Sequence, residues 1–171
     1  MNSNQLPVNE YSQFNATYIN ALDNVELFEE LEISLHSFIK FVQNIPMDKF
    51  DYSYAEGKWT IKEIIQHIID TERIFAYRAL RVSRNDKTPL PGFEENDYVV
   101  NTDAKSRSIQ DLLSEFSAVR HSNLLMFKSF SDEQLKRIGI ASEHDISVRA
   151  LGFLIIGHMK HHQRVFAERY L

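Results

Sequence analysis

Cysteine is absent from the 171 residues of the chain, and glycine and proline number only five and four. Without cysteine the chain has no disulfide bonds, no thiolate metal ligands and no cysteine nucleophile. No apolar run approaches the roughly 20 residues that cross a bilayer. No basic segment followed by an apolar one marks a secretory signal near Met1. We therefore expect a soluble, cytoplasmic protein with no membrane partner.

The chain also lacks a basic cluster. Its formal net charge is −5 at pH 7, which makes a nucleic acid a poor partner. Hydrophobic residues make up 43% and charged residues 25%, as in ordinary globular proteins, so a folded core is expected rather than disorder. A length of 171 residues fits one domain, and we predict a single domain over residues 1–171.

The few glycines and prolines divide the sequence into four long segments. Each repeats apolar residues at spacings of three and four, which is typical of helices. We predict helices over about 24–43, 60–82, 108–130 and from 147 to the end, with shorter turns near 11–20 and 131–134. Thr60 and Glu63 have the spacing of a capping box. With no alternating strand pattern and no Asn-Gly hairpin turn, the prediction is an all-α four-helix bundle.

The connection between the second and third helices, residues 83–107, is long for a bundle, where roughly 2–8 residues are usual. Two interpretations compete. The connection can cross the bundle, so that the second and third helices run parallel. It can also cover a site, packing through Phe93, Tyr98 and Val99. Its carboxylates, Glu94, Glu95 and Asp97, are predicted to be solvated.

Three of the seven histidines lie between residues 158 and 162. His158 and His162 fall on the apolar arc of the last helix, one turn apart, whereas His161 falls on its flank. Two inward imidazoles at this spacing can reach one zinc, nickel, copper or iron ion. The alternative is a pair of hydrogen-bonded core histidines, because two ligands do not complete a metal site.

A third ligand has to come from another helix, and the candidates are His36, His67 and His121. His36 and His121 lie off the apolar arcs of their helices and are predicted at the surface. His67 lies roughly 10 Å from the start of its helix, and His162 lies roughly 10 Å from the end of its own. If those two helices are antiparallel, the three imidazoles meet at one level. The long crossover would make them antiparallel.

Polar residues also occupy positions where apolar ones are expected. Arg120 and Asn123 fall within the apolar arc of the third helix, and Glu72 within that of the second. One interpretation is a structural Arg120–Glu72 ion pair, since a buried charge is costly unless it is paired. The other makes Arg120 a clamp for an anionic substrate group and Glu72 a carboxylate that orients a histidine. Gly152 and Gly157 in the last helix would permit close helix contact near the histidines.

Together these residues resemble the DinB-like superfamily, which includes damage-inducible and bacillithiol-transferase-like helical metalloproteins. The resemblance is carried by Gly57-Lys58-Trp59-Thr60 before His67, by Asp70-Thr71-Glu72-Arg73 and by Gly157-His158-Met159-Lys160-His161-His162. It implies an up-down-down-up bundle and one divalent ion, zinc or nickel, held by His67, His158 and His162, with His161 not a ligand. It further implies homodimers and activities such as thiol S-transfer, thiol-dependent isomerisation or metal-dependent hydrolysis.

Two functional hypotheses follow. In the first, the chain is an enzyme whose metal activates a low-molecular-weight thiol or water for attack on a small-molecule electrophile. An external thiol suits a chain that has no cysteine of its own. In the second, the chain is a non-catalytic helical bundle that binds a metal or a ligand. A purely structural role for the histidines is the third possibility.

Overall fold

Four long helices form the body of the molecule in the computed structural model, which describes residues 1–171. The α-helices are α1 (Gln13–Ile19), α2 (Leu27–Gln43), α3 (Ile61–Ser83), α4 (Glu95–Val100), α5 (Ile109–Lys128), α6 (Asp132–Leu135) and α7 (Val148–Val165). A π-helical turn, Phe166–Tyr170, extends α7, and a two-stranded hairpin, β1 (Ile138–Ala141) and β2 (His144–Ser147), precedes it. Helices α2, α3, α5 and α7 are the four predicted from the sequence.

Side-chain caps fix where the long helices begin. The Thr60 hydroxyl accepts the backbone N–H of Glu63, and the Glu63 carboxylate accepts the N–H of Thr60 at 2.7 Å, which completes the predicted capping box. Ser108 and Ser147 cap α5 and α7 by the same hydroxyl contact to an N–H three residues on. These local signals explain why the helix starts are readable in the sequence.

The helices run up-down-down-up. Helices α3 and α7 are antiparallel, because the Tyr170 hydroxyl at the end of the chain donates to the Trp59 carbonyl just before α3, at 2.6 Å. Helices α3 and α5 are parallel: Arg107, just before α5, contacts Gln66 near the start of α3, and Arg120 contacts Glu72 further along both helices. The connection of residues 84–108 therefore crosses the bundle, as one of the two interpretations required.

The same pattern places α2 antiparallel to α5 and parallel to α7. Glu32 near the start of α2 pairs with Lys128 at the end of α5, whereas Phe38 packs against Phe116, nearer the start of α5. Apolar side chains from all four helices fill two adjoining clusters, one centred on Phe127 and Phe153 and the other on Phe38 and Phe116. No helix reaches the combination of length and apolar character that a bilayer-spanning segment needs.

The β1–β2 hairpin, like the short helix α4 in the crossover, was not predicted from the sequence. Its strands pair antiparallel from Ile138 opposite Ser147 to Ala141 opposite His144. The two turn residues, Ser142 and Glu143, both have positive φ, at 49° and 67°. Hairpin turns of this kind usually contain Asn-Gly or another glycine pair, so the usual sequence signal is absent. Tertiary contacts hold the hairpin instead, because the backbone of Leu90 in the crossover forms hydrogen bonds with the backbones of Ile140 and Ser142.

Candidate metal centre

Three imidazoles from two helices converge on one point. His67 projects from α3, and His158 and His162 project from α7. The Nε2 atom of His158 lies 3.0 Å from Nε2 of His67 and 3.2 Å from Nε2 of His162. His67 and His158 are each only 6% exposed. The structure thus brings together the three histidines that the resemblance singled out.

Helix geometry and close packing produce this convergence. His158 and His162 share a face of α7 because they are one turn apart, and the antiparallel α3 brings His67 to their level. Gly157 allows the approach of α1, since a Cβ atom there would lie 2.6 Å from the carbonyl oxygen of Tyr18. The Tyr18 ring consequently packs edge-on against His158, with the ring centroids 5.6 Å apart.

Burial keeps all three imidazoles neutral. It lowers the pKa of His67 from the usual 6.5 to about 4. Burial, followed by the proximity of the other histidines, lowers the pKa values of His158 and His162 well below the usual value. Near neutral pH each ring therefore carries one N–H and one lone pair, which is the form that binds a metal ion.

The donor set fits a divalent cation better than it fits a hydrogen-bonded cluster. A neutral imidazole nitrogen is either a donor or an acceptor, so Nε2 of His158 can make a good hydrogen bond to only one of the two nitrogens it faces. The Nδ1 atom of His162 is also buried without any hydrogen-bond partner. Three nitrogens bound to a tetrahedral zinc ion lie about 3.3 Å apart, close to the two shorter separations seen here.

One neighbouring side chain can orient the cluster. The Thr71 hydroxyl lies 3.5 Å from Nδ1 of His67, one turn away on α3. If Nε2 of His67 carries the lone pair, its Nδ1–H points to that hydroxyl, an arrangement common around metal-binding histidines. The Trp59 ring covers the other side of His67, with the ring centroids 5.0 Å apart.

The remaining histidines lie outside the cluster. His36 and His121 are exposed, as predicted from their positions off the apolar arcs. His161 is half-buried and packs edge-on against Tyr18, with the ring centroids 5.3 Å apart. His144, which the sequence analysis did not single out, is exposed on β2 and faces the cavity described below.

Arg120 and Glu72 form an ion pair inside the bundle. The guanidinium donates from Nε and Nη2 to the two carboxylate oxygens at 2.7 and 2.8 Å, and from Nη1 to Ser34 at 2.8 Å. Asn123 donates to the same carboxylate at 3.2 Å. Arg120 is fully buried and lies outside the cavity, so its geometry fits the structural interpretation and not the substrate clamp. Glu72 is committed to these two partners and makes no hydrogen bond to a histidine.

The histidine cluster forms part of the wall of a cavity of about 440 Å³. This volume is within the usual range for a small-molecule site. One face of α3 contributes a stripe of residues at helical spacing, and α1, α7, the hairpin and the crossover supply the rest. The members that bear on function are Tyr18, Trp59, His67, Thr71, Phe75, Arg78, Phe93, Glu95, Ser142, His144, His158, His161 and His162.

Two residues of the long connection therefore reach the cavity. Phe93 lines it, so the connection both crosses the bundle and helps to cover the site, and the two interpretations of its length are compatible. Glu95 is exposed, as expected, but it also faces the cavity. Tyr18 and Arg78 were missed by the sequence analysis. For Arg78 a signal existed, because it repeats the helical spacing of His67, Thr71 and Phe75.

Comparison with known proteins agrees with this fold. The DinB superfamily model matches residues 30–166. A protein of Oceanobacillus iheyensis named "Putative metal-dependent hydrolase" is 19% identical over 80% of this chain and 79% of its own. YfiT of Bacillus subtilis, which bears the same description, is 21% identical over 77% of this chain and 72% of its own.

The solved structure of YfiT shares the fold of this chain. It is described as "a probable metal-dependent hydrolase with an unusual four-helix bundle topology", and it superposes with a TM-score of 0.73 at 16% identity. The match covers 95% of this chain and 90% of YfiT. Because the family model spans residues 30–166, most of the chain, the chain belongs to the DinB superfamily.

Proposed function

We propose that this chain is a metal-dependent enzyme in which His67, His158 and His162 hold one divalent ion, zinc or nickel. Its reaction would be the attack of a small thiol or water on a small-molecule electrophile. The observation that supports this most directly is the meeting of three neutral imidazole nitrogens at the wall of a cavity. An ion held by three histidines keeps open positions, where it lowers the pKa of a thiol or water and polarises an electrophile.

The side chains around the histidines have defined tasks in this proposal. Thr71 holds His67 in the orientation that directs Nε2 toward the other two rings. Tyr18 and Trp59 cover the rings of His158 and His67 and exclude water from those sides. The nucleophilic thiol, where the reaction uses one, has to enter the cavity as a ligand, because the chain has no cysteine.

Metal content tests the ligand assignment. Protein purified without a histidine tag should contain about one divalent ion per chain. His67→Ala and His162→Ala should each lose most of that ion. His121→Ala is the matched control, because His121 is exposed and outside the cluster, and it should retain the ion. Wild-type protein that never takes up zinc or nickel would overturn the assignment.

Turnover separates an enzyme from a binder. The metal-loaded protein is incubated with an electrophile and each common cellular thiol, and with simple esters and amides, and adduct or product is measured by mass spectrometry. Metal-dependent product that disappears in His67→Ala supports an enzyme. Metal binding without turnover across all of these substrates would favour the alternative, a non-catalytic metal- or ligand-binding bundle.

A further inference from the structure

Arg78 is a buried cation that has no anionic partner. It is only 6% exposed, and its Nη2 donates to the carbonyl of Pro91 at 2.8 Å and to the hydroxyl of Ser142 at 3.1 Å. No carboxylate lies within ion-pair distance of it, whereas the other two well-buried arginines, Arg120 and Arg149, each pair with a glutamate. A buried charge without a counter-charge is costly, so this exception needs a reason.

Arg78 lines the same cavity as the three histidines. His67, Thr71, Phe75 and Arg78 recur at helical spacing on one face of α3, and all four line that cavity. Arg78 lies 11 residues beyond His67, or about 16 Å along the helix axis. Long side chains on a helix lean toward its N-terminus, which for Arg78 is the direction of the histidines. The cavity wall therefore carries two kinds of group along α3: a neutral nitrogen ligand at His67 and a cation at Arg78.

Hydrogen-bonding capacity remains at the cation. Nη2 makes both protein contacts, and the N–H groups of Nε and Nη1 make none. A buried arginine that served only to tie the crossover to the hairpin would leave three of its five N–H donors unused. A guanidinium with free donors at a cavity wall matches a carboxylate in both charge and planar geometry.

We propose that Arg78 binds the carboxylate of an anionic small molecule whose reacting end lies at the histidines. The binding of a carboxylate is argued from Arg78 alone, whereas the position of the reacting end at the histidines rests on the proposed function. The side chains of the wall favour a monoanion at Arg78: apart from an ion held by the histidines, Arg78 is the only cation of the wall, and Glu95 is its only carboxylate, so no second cation beside Arg78 is present to bind a dianion.

Carboxylates compared with alcohols of the same chain length test the anion site. Isothermal titration measures the binding of butyrate, hexanoate and octanoate to the full-length purified protein, against the alcohol of the same chain length. Losing a charge-assisted hydrogen bond typically weakens binding by roughly 10- to 100-fold, and we expect each carboxylate to exceed its alcohol by a factor in that range. Arg78→Gln should abolish the preference, and Arg78→Lys, which keeps the charge, should retain part of it.

A control separates binding from the structural contact. Ser142→Ala removes one protein partner of Arg78 but leaves the cation, so the carboxylate preference should survive. Equal binding of carboxylate and alcohol to the wild-type protein would overturn the proposal. So would a preference that persists in Arg78→Gln. Tighter binding of inorganic phosphate than of every carboxylate would overturn the assignment to a carboxylate.

His67→Ala distinguishes this proposal from the metal site. If Arg78 is the anion site, the carboxylate preference persists in His67→Ala. If the preference is lost in His67→Ala and kept in Arg78→Gln, the carboxylate binds at the histidines and the proposal fails, while the metal site stands. In the zinc-loaded protein, ω-mercaptocarboxylates should bind more tightly than carboxylates of equal length. If the mercaptocarboxylates bind no more tightly than the carboxylates and every other result is as expected, the proposed function is contradicted and the carboxylate site at Arg78 is not.

Discussion

The Arg120–Glu72 pair provides the sharpest quantitative test of the fold. Both side chains are almost inaccessible, at 0% and 2%, and the pair is bidentate. Glu72→Leu leaves a buried guanidinium whose only hydrogen-bond partners are the Ser34 hydroxyl and the Leu31 carbonyl. Removing one partner of a buried pair typically costs about 3–5 kcal/mol, a large share of a domain's stability of roughly 5–15 kcal/mol.

The double substitution should behave differently from either single one. Arg120→Met leaves the buried Glu72 carboxylate with Asn123 as its only hydrogen-bond partner. This variant should therefore also be destabilised by about 3 kcal/mol or more. In Glu72→Leu/Arg120→Met no uncompensated charge remains, and apolar replacements of a buried pair are often neutral or stabilising by about 1–4 kcal/mol. We therefore expect a coupling energy of at least about 3 kcal/mol between the two positions.

Urea unfolding followed by circular dichroism measures these values, with a chelator present so that every variant is compared without metal. Metal content, measured separately on the folded variants, should stay at the wild-type ratio, because neither side chain contacts the histidines. Additive single effects would refute the reasoning. Normal stability combined with lost ligand binding in Arg120→Met would restore the interpretation of Arg120 as a substrate clamp.

Three further outcomes are expected. Gly157→Ala gains about 1 kcal/mol of helix propensity, but the new Cβ would lie 2.6 Å from the Tyr18 carbonyl oxygen. We therefore expect the free energy of unfolding, measured in urea, to fall by about 1–2 kcal/mol in total. A rise in that free energy would contradict the close contact. Burial raises the pKa of Glu10, but the hydrogen bonds from Arg149 and Ser147, together with the positive charges of Arg149 and Lys136, outweigh burial and hold that pKa below the usual 4.5. The unfolded chain therefore binds more protons as the pH falls through this range, and stability is lost. Glu10→Gln should flatten that acid limb of the stability curve, and an unchanged limb would exclude the pair as its source. Zinc at 100 times its dissociation constant should add about 2.7 kcal/mol to the unfolding free energy of the wild type and nothing to that of His67→Ala, as calorimetry can check.

The four long helices could be predicted because their signals are local. Apolar spacing and the side-chain caps at Thr60, Ser108 and Ser147 place the starts of α3, α5 and α7 at the residue where each helix begins. The hairpin could not be predicted, because Ser142 and Glu143 adopt positive φ without the glycine or asparagine that usually marks such a turn. Its stability comes from contacts with Leu90 and Arg78, which are distant in sequence.

The candidate site shows the same division between local and distant information. His158 and His162 are recognisable from their spacing, and the level of His67 follows from helix lengths once the crossover is assumed. The roles of Tyr18 and Glu95 depend on how α1 and the crossover fold over the cavity, which no local pattern in those segments indicates. The helical spacing of Arg78 from His67 could have placed it on the same face of α3, but its lack of a carboxylate partner is visible only in the structure.

The antiparallel alignment of α3 and α7 determines which histidines meet at the site. The Tyr170 hydroxyl bonds to the Trp59 carbonyl, and burial raises the pKa of Tyr170 to about 12, so the phenol keeps its proton. From this bond, His67 lies eight residues along the chain in one direction and His162 eight residues in the other, so both imidazoles lie at a similar depth in the bundle, with His158 one turn deeper. In a bundle with α3 and α7 parallel and their first residues at one level, His162 would lie about 12 Å from His67 along the axis. The crossover in residues 84–108 is therefore what allows two helices to present three nitrogens to one point.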